Sequence, residues 1–459
     1  MTDTSALVPP ATTAKAEKRK RLAGAFGSRF FLLIVIGLVW LGGAFHDPRF
    51  FYAMAAWDAL VLLAWGIDLA NLPSPNNLSI TRRWSRAAAL SVPNTIELLL
   101  ENSSRVTVFA TLIDNVPPEL RAAAPELELK CRGRDEAVVS YRISPTRRGD
   151  VELGAVYVRY QTPMRLAERW AMAPVEQKVC VYPNLEEARQ QAVYLVRSRQ
   201  IEMEKRHTRI RGAGREFESL REYREGDEFR DICWTAAARR GKLVTRIFQI
   251  ERSQTIWLVL DAGRLMRARV SGLSKLDFAV NAALSLAEVA LGTGDRVGLL
   301  AYGRHVQKRM LPYRGSAHLR QMIQQLAYVK EDPLEGDHLQ AVSALLTTQK
   351  RRSLIVWLTD FPETSMTPEV IDAASEAASR HLVLFVVIGQ PDLAALAAGE
   401  PDSVTNMYRT TAAQETMHRR EVLLAKLRQR GALAVEVSSA AASATVVNSY
   451  LDVKQRNLL

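Results

Sequence analysis

Two aspartates stand where open sheets gather ligand chemistry. Asp261 directly follows the apolar run Thr255–Leu260 (TIWLVL), and Asp360 closes Ser353–Thr359 (SLIVWLT). Carboxyl ends of parallel strands are where doubly wound sheets place their ligands. Between them in sequence lies Asp337, within Glu335-Gly-Asp-His-Leu339. Clustered carboxylates can bind Mg²⁺ and activate water, so a metal-dependent hydrolase or phosphatase built on Asp261, Asp337 and Asp360 is one functional reading. No other catalytic constellation is present. The seven histidines are scattered, as at His46, His207, His305 and His338, without HExxH. Neither GxxxxGK[ST] nor GxSxG occurs, and Gly212-Ala-Gly214 is too short a glycine signal, so the chain is not expected to hydrolyse nucleotide. Cys131, Cys180 and Cys233 form no CxxC knuckle.

The elements that would position these aspartates alternate between strand and helix from Thr255 onward. Apolar strands are expected at 255–260, 296–302, 306–311, 353–359, 382–388 and 432–437. Helices are expected at 275–291, 317–329, 337–347, 368–379, 416–430 and 441–453. Continuous apolar strands separated by helices predict a parallel sheet covered on both faces, and Gly303-Arg304 predicts a hairpin to one antiparallel edge strand.

Upstream, from about Ser79 to Tyr182, the pattern shortens to alternating strands such as Thr95–Leu100 (TIELLL), Arg105–Leu112 and Val151–Tyr160, separated by turn residues. That spacing predicts an immunoglobulin-like β-sandwich. Cys131 and Cys180 fall in two of these strands, which leaves an inter-sheet disulfide or ordinary buried thiols, the latter favoured in a reducing compartment.

The N-terminus carries two apolar runs, Phe30–Phe45 and Phe50–Ile67, joined by His46-Asp-Pro-Arg49. Their lengths predict a two-helix transmembrane hairpin, with a pair of core helices as the alternative. Lys15, Lys18, Arg19, Lys20, Arg21 and Arg29 precede the hairpin and Arg82, Arg83 and Arg86 follow it, which predicts both termini and the bulk domains on the cytoplasmic side. Asp58 within the second run either meets a partner helix or its own hairpin mate, or reaches water or a backbone group near the interface. The formal charge of +12 gathers largely in this membrane-flanking arm, so it points to anionic lipid rather than to nucleic acid.

Between sandwich and sheet runs a segment of interleaved charge, from Arg215-Glu-Phe-Glu-Ser-Leu-Arg-Glu-Tyr to Ala-Arg-Arg-Gly-Lys-Leu243. Asp227 can cap a helix from Glu228 that Gly241 ends, with Phe229, Ile232, Cys233 and Trp234 as its packing stripe. An ion-paired strap and a docking surface both fit this composition. The expected division is 1–28 basic cytoplasmic arm, 29–70 hairpin, 78–184 sandwich, 190–252 charged linker and signature, and 253–459 α/β domain.

Asp261-Ala-Gly-Arg-Leu265 resembles the adhesion motif of the von Willebrand factor A fold, Asp-x-Ser-x-Ser with a later Thr and Asp. Gly263 and Leu265 replace both serines, Asp360 matches the last Asp, and the Thr position falls near Asp337. Hard divalent ions want six oxygen ligands, and Arg264 adds positive charge able to pair with Asp261 or Asp360. The resemblance therefore implies a degenerate site at Asp261, Gly263, Leu265, Asp337 and Asp360 without a cofactor, although Asp337 could restore one ligand to Mg²⁺.

The whole pattern also resembles a bacterial family catalogued as domain of unknown function fifty-eight. The matching signature includes Arg221, Tyr223, Gly226, Asp227, Arg230, Trp234 and Arg239. At Gln161-Thr-Pro-Met-Arg165 the chain departs from that family's usual Asp-Pro-Phe-Gly-Leu. The resemblance implies a two-pass protein of the bacterial inner membrane with a von Willebrand A-like end, associated with a MoxR-type AAA+ ATPase. The expected function is a non-enzymatic adaptor in a chaperone-like or assembly role, with the ATPase, the bilayer and a client protein as partners.

Overall fold

The structure is a computed structural model describing residues 7–18, 24–44, 47–184, 216–224, 229, 232–249, 254–361, 368–400, 402–456 and 458. The chain divides into two compact units, Met1–Asn184 and Leu185–Leu459.

In the first unit the apolar N-terminus forms helices Ser28–Gly37, Val39–Ala44 and Arg49–Asn71. Among the described residues only Arg49–Asn71 is long and apolar enough to cross a membrane; the first run, Ser28–Gly43, is apolar but shorter. The first run breaks because its backbone tightens around Leu38, where Leu38 N donates to Val35 O and Leu41 N to Leu38 O, both i→i+3 bonds. Gly37 lies against the other helix, since a Cβ there would come within 2.7 Å of Trp57. Trp57 Nε1 donates to Leu33 O at 2.9 Å. Asp58 lies against its hairpin mate, its Oδ1 buried beside Gly37 without a hydrogen bond.

Below the helices two antiparallel sheets share one core. One has the order Thr12–Lys15, Leu78–Trp84, Asn94–Asn102, Asp135–Ile143. The other runs Glu17–Lys18, Ala167–Ala173, Val156–Gln161, Val108–Asp114, Glu126–Cys131, with Gly24–Phe26 also on Ala167–Ala173. Strict alternation puts Ile96, Leu98 and Leu100 inward against Leu112, Val156 and Val158. Part of the segment read as a basic arm thus supplies edge strands. Its short polar stretches lack an apolar run, and neighbouring strands decide their pairing. The cysteines are free thiols, and burial pushes Cys131 up to about 11.

In the second unit six strands take the order Val306–Tyr313, Arg296–Tyr302, Thr255–Asp261, Leu354–Thr359, Leu382–Gly389, Leu433–Ser438, all parallel except the first pair. Helices Lys275–Gly292, Ser316–Ala327, His338–Thr348, Pro368–Arg380, Val404–Gln429 and Ala442–Gln455 accompany them. One core gathers Trp257, Val259, Trp357 and Phe385 with Leu345, Ala373 and Leu423. A separate hairpin pairs Glu216–Glu222 with Val244–Gln249, so the stretch 193–218, whose polar, Arg- and Lys-rich sequence reads as a long helix and loop, ends in a strand. Most of that stretch lies outside the described residues.

Candidate functional site

Asp261 ends the central strand Thr255–Asp261 and is 4% exposed. Its Oδ1 accepts from Gly263 N at 2.8 Å and its Oδ2 from Thr359 Oγ1 at 2.7 Å. Burial raises its pKa from the ordinary carboxylate value, against the opposing pull of His338 and these two bonds. Nearby, Trp357 Nε1 donates to Tyr302 Oη at 2.8 Å, and Tyr302 Oη lies 2.7 Å from His338 Nδ1. Burial lifts Tyr302 well above its ordinary value, so the phenol keeps its proton.

Asp360, also 4% exposed, is held between two cations that the sequence had not assigned. Lys275 Nζ donates to Oδ2 at 2.6 Å and Arg420 Nη2 to Oδ1 at 2.9 Å. Arg420 Nη1 reaches Glu436 Oε1 at 2.8 Å. Lys275 is 2% exposed and opens the helix Lys275–Gly292, whose N-terminus Ser274 caps in a reciprocal box with Asp277. A cation there opposes the helix dipole and loses its hydration, so the Asp360 carboxylate has to compensate both.

The remaining adhesion-site positions do different work. Gly263 has no room for a side chain, because a Cβ would stand 2.6 Å from Gly336 N. The segment that fills this space is tied down by Arg264 N to Leu334 O at 2.8 Å and Asp332 N to Ala262 O at 2.7 Å. Leu265 lies in the 3₁₀ turn Arg264–Arg267. Arg264 pairs with Glu335 at 2.9 Å rather than with Asp261 or Asp360, because both aspartates are already engaged inside while Arg264 sits on the rim. Asp337 caps the helix His338–Thr348, its Oδ1 accepting from Gln340 N at 2.8 Å. The site residues so converge, but their oxygens face protein donors. Among the described residues no group of three His, Cys, Asp or Glu is placed to hold a metal.

In the signature segment, Gly226, Asp227 and Arg230 lie outside the described residues. Trp234 and Arg239 lie on helix Trp234–Arg240, which Gly241 ends in the left-handed region at φ 64°. Arg221 is in the strand Glu216–Glu222, and Tyr223 N donates to Leu243 O at 2.9 Å. Of the expected packing stripe only Ile232 is buried, while Phe229 is 74% and Trp234 64% exposed. The helix begins at Trp234, which puts these rings out of register with a stripe counted from Glu228.

Residues 219–430 match the family described as "Protein of unknown function DUF58". The uncharacterized protein Rv1480 of Mycobacterium tuberculosis (strain ATCC 25618 / H37Rv) is 29% identical over 186 residues, covering 40% of this chain and 57% of that one. The uncharacterized protein YeaD of Bacillus subtilis (strain 168) is 26% identical over 198 residues, covering 41% and 45%. The chain thus spans about half the length of these curated relatives. Among solved structures, the conserved hypothetical protein BatB from Bacteroides thetaiotaomicron aligns with a TM-score of 0.32 at 15% identity, over 44% of this chain and 99% of that chain.

Proposed function

We propose that the protein is a membrane-tethered, non-enzymatic interaction module whose aspartates at the strand ends work without a metal ion. The observation that carries this reading is the engagement of both Asp360 oxygens by Lys275 and Arg420. A divalent ion seated there would have to displace two buried cations and would find neither serine hydroxyl of the adhesion motif. Asp337 is committed to a helix cap through its Oδ1, and among the described residues no group of three His, Cys, Asp or Glu gathers beside Asp261 to hold an ion that would activate water. The same geometry therefore speaks against hydrolysis.

Helix Arg49–Asn71 supplies the tether, the contacts of Gly37 and Leu33 with Trp57 support pairing of the shorter apolar run with it as a hairpin, and the basic residues flanking the two runs favour the cytoplasmic side for the folded units. The sheet strand order, with one antiparallel edge, supports a von Willebrand A-like domain. The exposed rings of Phe229 and Trp234 favour the docking reading of the signature segment over the strap. By family resemblance the partner is a MoxR-type AAA+ ATPase, with this chain as its adaptor in chaperone-like or assembly work. Affinity capture of the full chain from solubilised membranes should recover a AAA+ ATPase. Recovery should drop at least fivefold for Trp234→Ala that retains its fold. Capture without any such ATPase would refute the partner, and undiminished capture by Trp234→Ala would refute the surface.

A further inference from the structure

We propose that the turn Thr162–Leu166 of the sandwich rests on the phospholipid headgroup layer, with Met164 as its apolar contact and Arg29 and Arg165 facing lipid phosphates. This rests on the reading of Arg49–Asn71 as a spanning helix.

Asp68, in the last turn of that helix and 1% exposed, clamps the turn. Its Oδ2 accepts from Leu166 N at 3.0 Å and Ala167 N at 2.8 Å, and its Oδ1 accepts from the Thr162 hydroxyl. From the next strand Arg169 Nη1 donates to Leu72 O at 3.2 Å and Pro73 O at 2.9 Å, closing the helix end. The turn is therefore fixed in height along the helix. At 1.5 Å per residue the 23 residues span about 35 Å, beyond the roughly 30 Å hydrocarbon core. Its final turn, and the turn bonded to it, then belong at headgroup level.

The exposed chemistry fits that level. Met164 is 50% exposed at the tip. Arg165 holds φ +58°, a left-handed conformation that a side chain disfavours, and its guanidinium lies 4.4 Å over the Phe109 ring. Such strain persists where the surroundings dictate the backbone, here the Asp68 clamp on both sides of the turn. Arg29, exposed at the start of the other apolar helix, lies 3.5 Å from Pro163 O and Met164 O. Phe26 and Phe31 are 41% and 57% exposed beside it, and Phe26 packs 4.6 Å from the Trp65 ring. Aromatic rings with arginines around a helix end are the composition of a membrane–water interface.

The test places a nitroxide at single cysteines of the full chain in a Cys180→Ser, Cys233→Ser background, reconstituted into vesicles of phosphatidylcholine and phosphatidylglycerol. Three positions are compared by collision with oxygen and with a water-soluble nickel chelate. They are Met164→Cys, Leu62→Cys on the helix, and Arg147→Cys beyond Ile143, whose partner Asn94 lies at the sandwich end away from Leu78. The expected result is a lipid-phase probe at 62, an aqueous probe at 147, and at 164 an oxygen-to-nickel ratio severalfold above that at 147. A probe at 164 as aqueous as at 147, with 62 in lipid, overturns the headgroup contact and leaves the tether standing. An aqueous probe at 62 overturns both.

Discussion

Two of the protein's buried charge clusters are built on opposite plans. In the sandwich, Arg82 and Asp114 are both fully buried and closed on all sides. Arg82 donates to Asp114, to Val175 O at 2.7 Å and to Gly154 O at 2.9 Å, while Tyr141 Oη donates to Asp114 at 2.7 Å. One cation meets one carboxylate, and backbone carbonyls take the donors left over. At the strand ends of the second unit two cations share Asp360, and the chain of charge runs on through Arg420 to Glu436, which is one-third exposed. Arg420 Nε is buried without a partner. The first cluster is a finished lock between strands, whereas the second leads from the interior to the surface at the ligand end of the sheet. A buried pair alone says little about function; the direction in which its unsatisfied groups point says more.

Removing Arg82 should break the comparison hardest. Arg82→Met leaves Asp114 buried with only Tyr141, and the expected loss is about 3–5 kcal/mol, read as lost hydrogen-exchange protection across Leu78–Trp84. Lys275→Met leaves Asp360 its second cation, so the expected loss is smaller, about 2–3 kcal/mol, in protection of Leu354–Thr359. Equal losses at the two clusters would erase the distinction. Gly263→Ser restores one hydroxyl of the adhesion motif, yet its Cβ would meet the Gly336 backbone at 2.6 Å. It should destabilise by about 1–3 kcal/mol in thermal melts and gain no response to Mg²⁺.

The smallest effect is a matter of sign. Asp261 has a raised pKa in the fold, so its contribution is greatest while protonated and is lost as the pH climbs through the folded value. Asp261→Asn cannot ionise and still offers an acceptor to Gly263 N. Its melting temperature should therefore gain on the parent's as the pH rises above the ordinary carboxylate range. A gap that narrows with rising pH would contradict the assignment.

How much of this was legible in the sequence follows from what each residue touches. Strand Arg296–Tyr302 matches its apolar run to the residue, because burial on both faces writes a continuous signal. Helix Val404–Gln429 starts well before the expected Thr416, and helix Pro391–Ala398 was not foreseen. Pro391–Ala398 buries no residue, and the early part of Val404–Gln429 buries little, so the core imposes no apolar stripe on either. Asp261 and Asp360 were readable as carboxylates that end apolar runs. Their cations were not, since Lys275 and Arg420 lie 85 and 60 positions from Asp360 and meet it only through the fold. One signal was available: Arg420 falls in the buried helical stripe with Leu423, Leu424 and Leu427, where an arginine needs a buried partner.

The central claim is that the protein's own ammonium and guanidinium groups stand where a divalent ion would sit. Calorimetric titration of the solubilised full chain with Mg²⁺ and with Mn²⁺ into the millimolar range tests it most directly. The account predicts no saturable heat with either ion. One-to-one binding that disappears in Asp360→Asn would contradict it.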